Sequence, residues 1–202
     1  MTTSRGPYAK SARVRAAAVE AAAELFGTAG YRGATFKDVA TKIGMTAAGL
    51  TYYFPDKDAL LAAVLDERDR PAVAEEAALA SSGTRADITE RVMRILSENI
   101  AQPGLAELHC VLSAEATSAE HPAHEHFQDR YRKARDLLTD TFEAAVARGE
   151  IRSSVPPKTL ATLLLSVMDG VQLQWLLDPE EVDMPATVRT FISDLLAPPE
   201  AP

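Results

Sequence analysis

The stretch from Thr35 to Lys57, TFKDVATKIGMTAAGLTYYFPDK, constrains the fold more than any other part of this chain. It divides into two short helical pieces around Gly44. In the first piece Phe36, Val39, Ala40 and Ile43 recur at i, i+3, i+4 and i+7, which puts them on one helix face. Gly44 fits the position just past a helix end, where the backbone turns left-handed and glycine has no steric cost. Thr46 suits the N-cap of the second piece, since its hydroxyl accepts an otherwise orphaned backbone N–H. Leu50 and Phe54 supply the inward face of that piece. Pro55 ends it, because the residue before a proline is pushed out of the α region. Two helices of this length joined by a glycine turn make a helix-turn-helix.

The outward face of the second helix carries Thr46, Ala47, Gly49, Thr51, Tyr52 and Tyr53, with no acid among them. Small residues at its N-terminus let a backbone enter the major groove of DNA, and the Ala47 methyl is suited to contact the thymine methyl. Thr51, Tyr52 and Tyr53 offer hydroxyls to phosphates, and Lys57 at the next helix start adds a charge. Thr35 and Lys37, at the start of the first helix, complete the candidate DNA-contacting set. On local pattern alone an ordinary helical pair, with tyrosines packed at its edge, fits equally well.

Charge supports the DNA reading only after the chain is divided. The net charge is −8, but residues 1–57 hold eight Lys/Arg against four acids, or +4, which leaves −12 for residues 58–202. A basic head on an acidic body confines a nucleic-acid contact to one end. Residues 1–57 are therefore read as the DNA-binding domain and 58–202 as a separate acidic body. Few aromatics, abundant alanine and no β-branched runs between turn signals make the chain all-α. The lone Cys110 excludes an internal disulfide and suits a reducing cytoplasm. No apolar run approaches the ~20 residues of a membrane span. The opening MTTSRGPYAK lacks the apolar segment of a signal peptide, so a cytoplasmic chain without a membrane partner is expected.

Residues 1–9 read as a disordered basic arm. A first helix is expected from about Ser11 to Thr28, burying Val14, Ala18, Ala21, Ala22, Leu25 and Phe26, with Gly27 and Gly30 ending it and Arg13 and Arg15 solvated. After Lys57 a helix carries Leu60, Leu61, Val64 and Leu65 inward, and Pro71 would kink or divide its extension. A loop at 81–87 precedes a helix with Ile88, Val92, Ile95, Leu96 and Ile100, broken by Pro103-Gly104. An almost wholly apolar helix at 105–116 follows, then a long one from about Ala123 to Arg148 ended by Gly149. Two apolar helices close the chain, one from Leu160 to Leu177 started by Pro156-Pro157 and one from about Pro185 to Leu196. Leu163, Leu164, Val167, Val171, Phe191 and Leu195 give these two more apolar surface than one small bundle hides. Pairing with a second copy across residues about 156–197, as a four-helix interface, is the expected outcome.

Side chains with chemical potential are sparse. His121, His124 and His126 do not have the i, i+4 spacing of paired metal ligands on a helix, and a solvated helix entry is the alternative. Cys110 beside His109 fits a redox switch or a small buried hydrophobe. Asp169, flanked by apolar turns, needs an Arg, a backbone group or a ligand as partner. Gln172 and Trp175 lie at +3 and +6 from it, positioned to line the same cavity. No nucleophile–base set, phosphate loop, metal site or cofactor site stands out.

Residues from about Val14 to Val64 resemble the N-terminal domain of the TetR (tetracycline-repressor-like) family of transcriptional regulators. LFGTAGYRGAT, DVATKIGM and AAGLTYYFPDKDALLAAVL occur in that family's order and spacing. Two positions depart from the common pattern: Ala48 stands where many members carry Gly, and Thr51 where they carry Tyr. The aromatic pair is thereby shifted to Tyr52 and Tyr53, with Tyr53 in a slot often held by His. The ending MDGVQLQWLLDP is similar to that of a subset of the family. The resemblance implies a three-helix DNA-binding domain and a helical body that dimerises through its C-terminal helices. It also implies an effector pocket among the 105–116 helix and the helices starting near Phe127 and Leu160. His109, Cys110, Phe127, Tyr131, Met168, Asp169, Gln172 and Trp175 are its candidate lining. The function implied is a ligand-responsive regulator, a repressor, that binds a palindromic operator and is released by a small molecule. An enzyme acting on a bound metabolite and an architectural DNA-binding protein without an effector are the competing readings.

Overall fold

The computed structural model describes residues 7–79, 84–151 and 154–195, with side chains throughout except at 7–10, 70–79, 85 and 195. Among the described residues every regular element is a helix, as composition and periodicity require: α1 (Pro7–Gly33), α2 (Phe36–Lys42), α3 (Ala47–Thr51), α4 (Lys57–Leu79), α5 (Arg85–Ala101), α6 (Pro103–Glu115), α7 (His124–Ala147), α8 (Pro157–Leu177) and α9 (Met184–Leu195). The chain forms two compact units, Met1–Arg70 with Glu107–His124, and Pro71–Ala106 with Glu125–Pro202. This is a different division from the functional partition at 57/58, because α4 begins at Lys57 and stays in the first unit as far as Arg70.

In the first unit α1 buries Ala18, Ala21, Ala22 and Phe26 as its periodicity predicts, with Val14 and Leu25 half-buried. The helix starts earlier than expected, so Pro7–Ala9 are helical rather than a disordered arm. Gly27 does not end it. A glycine inside a helix costs only about 1 kcal/mol, which packing absorbs. Gly30 is the break, at φ 73 and ψ 166. Val39, Ala40, Leu50 and Phe54 of the helix pair are buried, as are Leu60, Leu61, Val64 and Leu65 of α4 and Leu108 and Leu112 of α6. Pro71 neither divides nor ends α4, which runs on to Leu79. Pro103 opens α6 instead of merely breaking α5, at a position where a missing N–H costs nothing.

The second unit is built on one cluster: Ile88, Val92 and Leu96 from α5, Phe142 and Ala145 from α7, Leu160, Ala161, Leu164 and Val171 from α8, and Met184, Val188 and Ile192 from α9, with Ile151. Thr84 and Asp87 cap α5 reciprocally. Gly149, at φ 73, closes α7: its N–H donates to the Val146 carbonyl at 2.9 Å and the Glu150 N–H to Ala145 at 3.0 Å.

Two expectations change here. Leu164 and Val171 are buried in this core and are not free for a second copy, while Val167 and Phe191 pack against it and keep part of their surface exposed. The Leu195 side chain lies outside the described residues. The exposed leucines of α8 are Leu163, Leu173 and Leu177. Further, α8 is long and apolar enough, by length and composition, to cross a membrane, contrary to the expectation of no such run. Asp169, Gln172 and Gln174 interrupt its apolar sequence without lowering the helix average far enough. Leu160, Ala161, Leu164 and Val171 nevertheless place one side of α8 in a protein core.

Candidate nucleic-acid interface

Each element of the helix pair is fixed by its own neighbours in sequence. The Thr35 hydroxyl accepts the Asp38 N–H at 3.1 Å, and the Asp38 carboxylate accepts the Thr35 N–H at 2.9 Å, a capping box on α2. The same carboxylate accepts the Thr35 hydroxyl at 2.5 Å. These bonds to Thr35, side chain first, hold the Asp38 carboxyl below its usual range. Gly44 has φ 69, as its role in the turn requires. Thr46 caps α3 by accepting the Gly49 N–H at 3.1 Å.

Gly49 is tight for a reason internal to the helix. A Cβ there would sit 3.3 Å from both the Thr46 hydroxyl and the Met45 methyl, so a side chain would press on the cap. Ala47 is half-buried at the start of α3. The Thr51 hydroxyl donates to the Ala47 carbonyl at 3.0 Å, so donation to a phosphate competes with an existing bond. Tyr52 is 84% exposed and meets Tyr53 edge to face at 5.1 Å between ring centroids. Lys37 is exposed, and the Thr35 side chain is committed to its capping box.

Lys57 is more constrained than a free surface lysine. Its ammonium lies 4.0 Å from the centroid of the Tyr31 ring. Burial pushes the Lys57 pKa down, partly offset by Asp58 and Glu115. Tyr31 in turn donates its hydroxyl to Asp58, while its backbone N–H donates to Glu115 at 2.7 Å. Burial, then the Asp58 bond, push the Tyr31 hydroxyl pKa up.

Sequence reasoning missed the part played by Arg15. Exposed as expected, it also donates from Nη1 to the Tyr53 carbonyl at 2.5 Å and lies 4.3 Å from the Phe54 ring centroid. Its position off the apolar stripe of α1 signalled exposure, and only the tertiary fold brings residue 53 within reach.

The eight effector candidates fall in different units. His109, buried, and Cys110, half-buried, belong to the first. In the second, Tyr131 donates to Asp169 at 2.7 Å, which gives that acid a protein partner. Gln172 is 5% exposed; it accepts from Asn99 at 2.5 Å and donates to the Ala106 carbonyl at 3.4 Å. Phe127 is buried, and Met168 and Trp175 pack against the core cluster. Asn99 was not foreseen, although it extends the buried series Val92, Leu96 by three residues. A groove of about 520 Å³ in this unit lies between α5 and α9, lined by Met93, Glu90, Arg189 and Ile192 among others; none of the eight candidates lines it.

The three histidines also separate. His121 is 4% exposed rather than solvated, and its Nδ1 accepts the Ala123 N–H at 3.2 Å. His124 Nδ1 pairs with the Ala116 carbonyl at 2.8 Å, and His126 meets the Phe127 ring edge to face. Among the described residues no group of three potential ligands is arranged to hold a metal ion.

Residues 18–64 match the family model of bacterial regulatory proteins, tetR family, and residues 88–197 match that of the BetI-type transcriptional repressor, C-terminal. No curated protein matches the chain in sequence. Among solved structures, a TetR-family transcriptional regulator from Agrobacterium tumefaciens is similar with a TM-score of 0.77 at 17% identity, over 93% of this chain and 100% of that one. SmeT, the repressor of the Stenotrophomonas maltophilia multidrug efflux pump SmeDEF, gives 0.72 at 19% identity, over 89% of this chain and 88% of its own. A transcriptional regulator from Saccharomonospora viridis, in complex with choline, gives 0.72 at 21%, over 91% and 95%. At these identities the likeness concerns the fold.

Proposed function

Because the chain belongs to the TetR family of bacterial transcriptional regulators, we propose that it is a ligand-responsive repressor that binds a palindromic operator as a homodimer and is released by a small molecule. The observation that carries the DNA contact is the outward face of α3: small at Ala47 and Gly49, acid-free, and followed by the exposed Tyr52. Thr46 and Ala47 face base edges, while Tyr52, Tyr53 and Lys57 hold phosphates, with Thr35, Lys37 and Thr51 beside them. Lys57 does so by leaving, or sharing, its place on the Tyr31 ring.

Dimerisation follows from α8. Leu163, Leu173 and Leu177 are exposed, and with Ser166 and Gly170 they mark one face at alternating three- and four-residue steps. Pairing of α8 and α9 with their copies, within residues about 156–197, covers that face. The effector is taken by the second unit, with Phe127, Tyr131, Met168, Asp169, Gln172 and Trp175 as its candidate contacts; SmeT as an efflux-pump repressor and the choline-bound regulator support a small-molecule response. The lone cysteine and the proposed DNA contact support a cytoplasmic location.

Selection of duplexes from a random-sequence pool tests the operator. An inverted repeat with half-sites about 34–36 Å apart is expected, and an asymmetric or unselected pool overturns the dimeric reading. Leu163→Glu with Leu173→Glu should give monomers by sedimentation that lose tight binding to the selected duplex. A screen of metabolites for thermal stabilisation, followed by titration against that duplex, tests the switch. A true effector weakens DNA binding by about 1–3 kcal/mol, and DNA weakens the effector equally. A stabilising ligand without that antagonism removes the release mechanism.

A further inference from the structure

We propose that Arg15 is a positioning residue for DNA recognition: from α1 it fixes the end of α3 and the turn after it, and so holds Tyr52 and Tyr53 toward the duplex. α3 is only five residues long, and its two ends are held by unlike devices. Thr46 secures the N-terminus locally. At the other end α3 stops at Thr51 with Tyr52 as its C-cap, so the Tyr53 carbonyl, already past the helix, lacks the amide that a continuing helix would bring. No basic residue of α3 itself serves that end. Arg15 supplies the donor, 38 residues away in sequence, at 2.5 Å.

The same guanidinium stacks on the ring of Phe54, 4.3 Å from its centroid, and Phe54 is one of the fully enclosed side chains of the unit. One side chain thus grips the backbone at 53 and the ring at 54. A planar group with several donors does both at once, which a lysine does less rigidly. Tyr53 is half-buried beside this grip and Tyr52 rests on it edge to face, so the orientation of both hydroxyls follows from the anchored turn. Arg15 itself is exposed, and a direct phosphate contact is the rival role to be separated.

The proposal rests on the reading that α3 and its tyrosines meet DNA. The probe is a duplex that the full-length wild-type chain selects from a random pool. Arg15→Met keeps the stem over Phe54 but removes the donors and the charge; Arg15→Lys keeps a donor and a cation. Arg15→Met should weaken binding about tenfold, the scale of one hydrogen bond from a charged group, with the salt dependence unchanged and most of the loss recovered in Arg15→Lys. In a Tyr52→Phe, Tyr53→Phe background the same change should cost much less, because nothing is left to orient. A fall in the salt slope of about 0.9 per protomer makes Arg15 a phosphate ligand and overturns the proposal. Unchanged affinity, or full additivity with the tyrosine changes, overturns it as well. Gly49→Leu separates this failure from failure of the underlying reading. If Gly49→Leu abolishes binding while Arg15→Met is neutral, only the positioning role falls; if both bind like wild type, α3 is not the reading helix.

Discussion

The helix pair and the polar pairs of the second unit are both held by hydrogen bonds, but the bonds differ in reach. Within the pair, Thr35 meets Asp38 and Thr46 meets Gly49, each three residues on, while the turn after α3 takes its long-range bond from Arg15 outside the pair. In the second unit, Tyr131 meets Asp169 across 38 residues and Asn99 meets Gln172 across 73. Short-range bonds are written in the sequence as spacing, since the partner lies one helical turn away. Long-range bonds exist only after packing has brought two helices together. The difference is why the recognition element was legible and the environment of the effector candidates was not.

Gly30 and Gly44 give the largest test of that contrast, because both have positive φ but only one answers to a distant partner. At φ 73 and ψ 166, Gly30 occupies a region that is essentially closed to other residues. A Cβ there would also sit 2.6 Å from Glu115 Oε1, which lies 85 residues on. At Gly44 the added Cβ meets nothing. Gly30→Ala should cost about 3 kcal/mol, strain and displacement together, and Gly44→Ala nearer ~1 kcal/mol. Urea midpoints at constant slope measure both. Equal losses would mean that neither the backbone conformation at Gly30 nor its contact with Glu115 resists a side chain.

The next effect lies in the second unit. Gln172→Leu leaves Asn99 and the Ala106 carbonyl without their shared partner, at a cost of about 1–3 kcal/mol. The pair Asn99→Leu with Gln172→Leu should lose less than the sum of the single changes, because neither polar group then remains to be desolvated. Strict additivity would show that the two amides do not depend on one another. In the helix pair the corresponding change is smaller: Thr46→Ala removes a cap whose partner is the exposed start of α3, for about 1 kcal/mol. A loss as large as that of Gln172→Leu would blur the comparison.

How far the sequence could be read follows the same line. The apolar steps of α1, α2 and α4, the turn at Gly44 and the end at Gly149 were visible because each depends on a residue and its near neighbours, whereas α3 ends at Thr51, ahead of the stop expected at Pro55. The pattern of α8 was visible as apolar but not as to side: Leu163 and Leu164 look alike in sequence, and only packing decides that one is exposed and the other enclosed. His121 was misread as solvated for the same reason, and Arg15, exposed as expected, has a partner that its own sequence neighbours do not show. A charged or polar side chain announces its chemistry, while its surroundings come from other elements.

His121 gives the smallest and most selective of the expected effects. Its ring is packed edge to face on Tyr31, 5.1 Å between centroids, and Nδ1 already accepts the Ala123 N–H. The neutral form therefore carries its proton on Nε2, which faces Glu115 Oε2 at 3.7 Å, too far for a hydrogen bond. Burial lowers the His121 pKa; Glu115 and Asp58 oppose that shift, while Arg32 and Lys57 reinforce it. Charging the ring would turn Nδ1 into a donor facing another donor, so acid should break the turn at Ala123 rather than tighten the pair with Glu115. The sign follows from linkage. Below the ordinary value of 6.5 the unfolded chain binds a proton that the folded one still refuses, so this contribution to stability is complete above 6.5 and is lost as pH falls below it. His121→Gln, which cannot charge, should flatten the stability curve between neutral pH and the folded pKa, and leave the region above pH 7 parallel to wild type. NMR titration of the imidazole gives an independent reading. A His121 that titrates at or above 6.5 would show that Glu115 outweighs burial, and the short-range bond to Ala123 would then be the weaker of the two contacts.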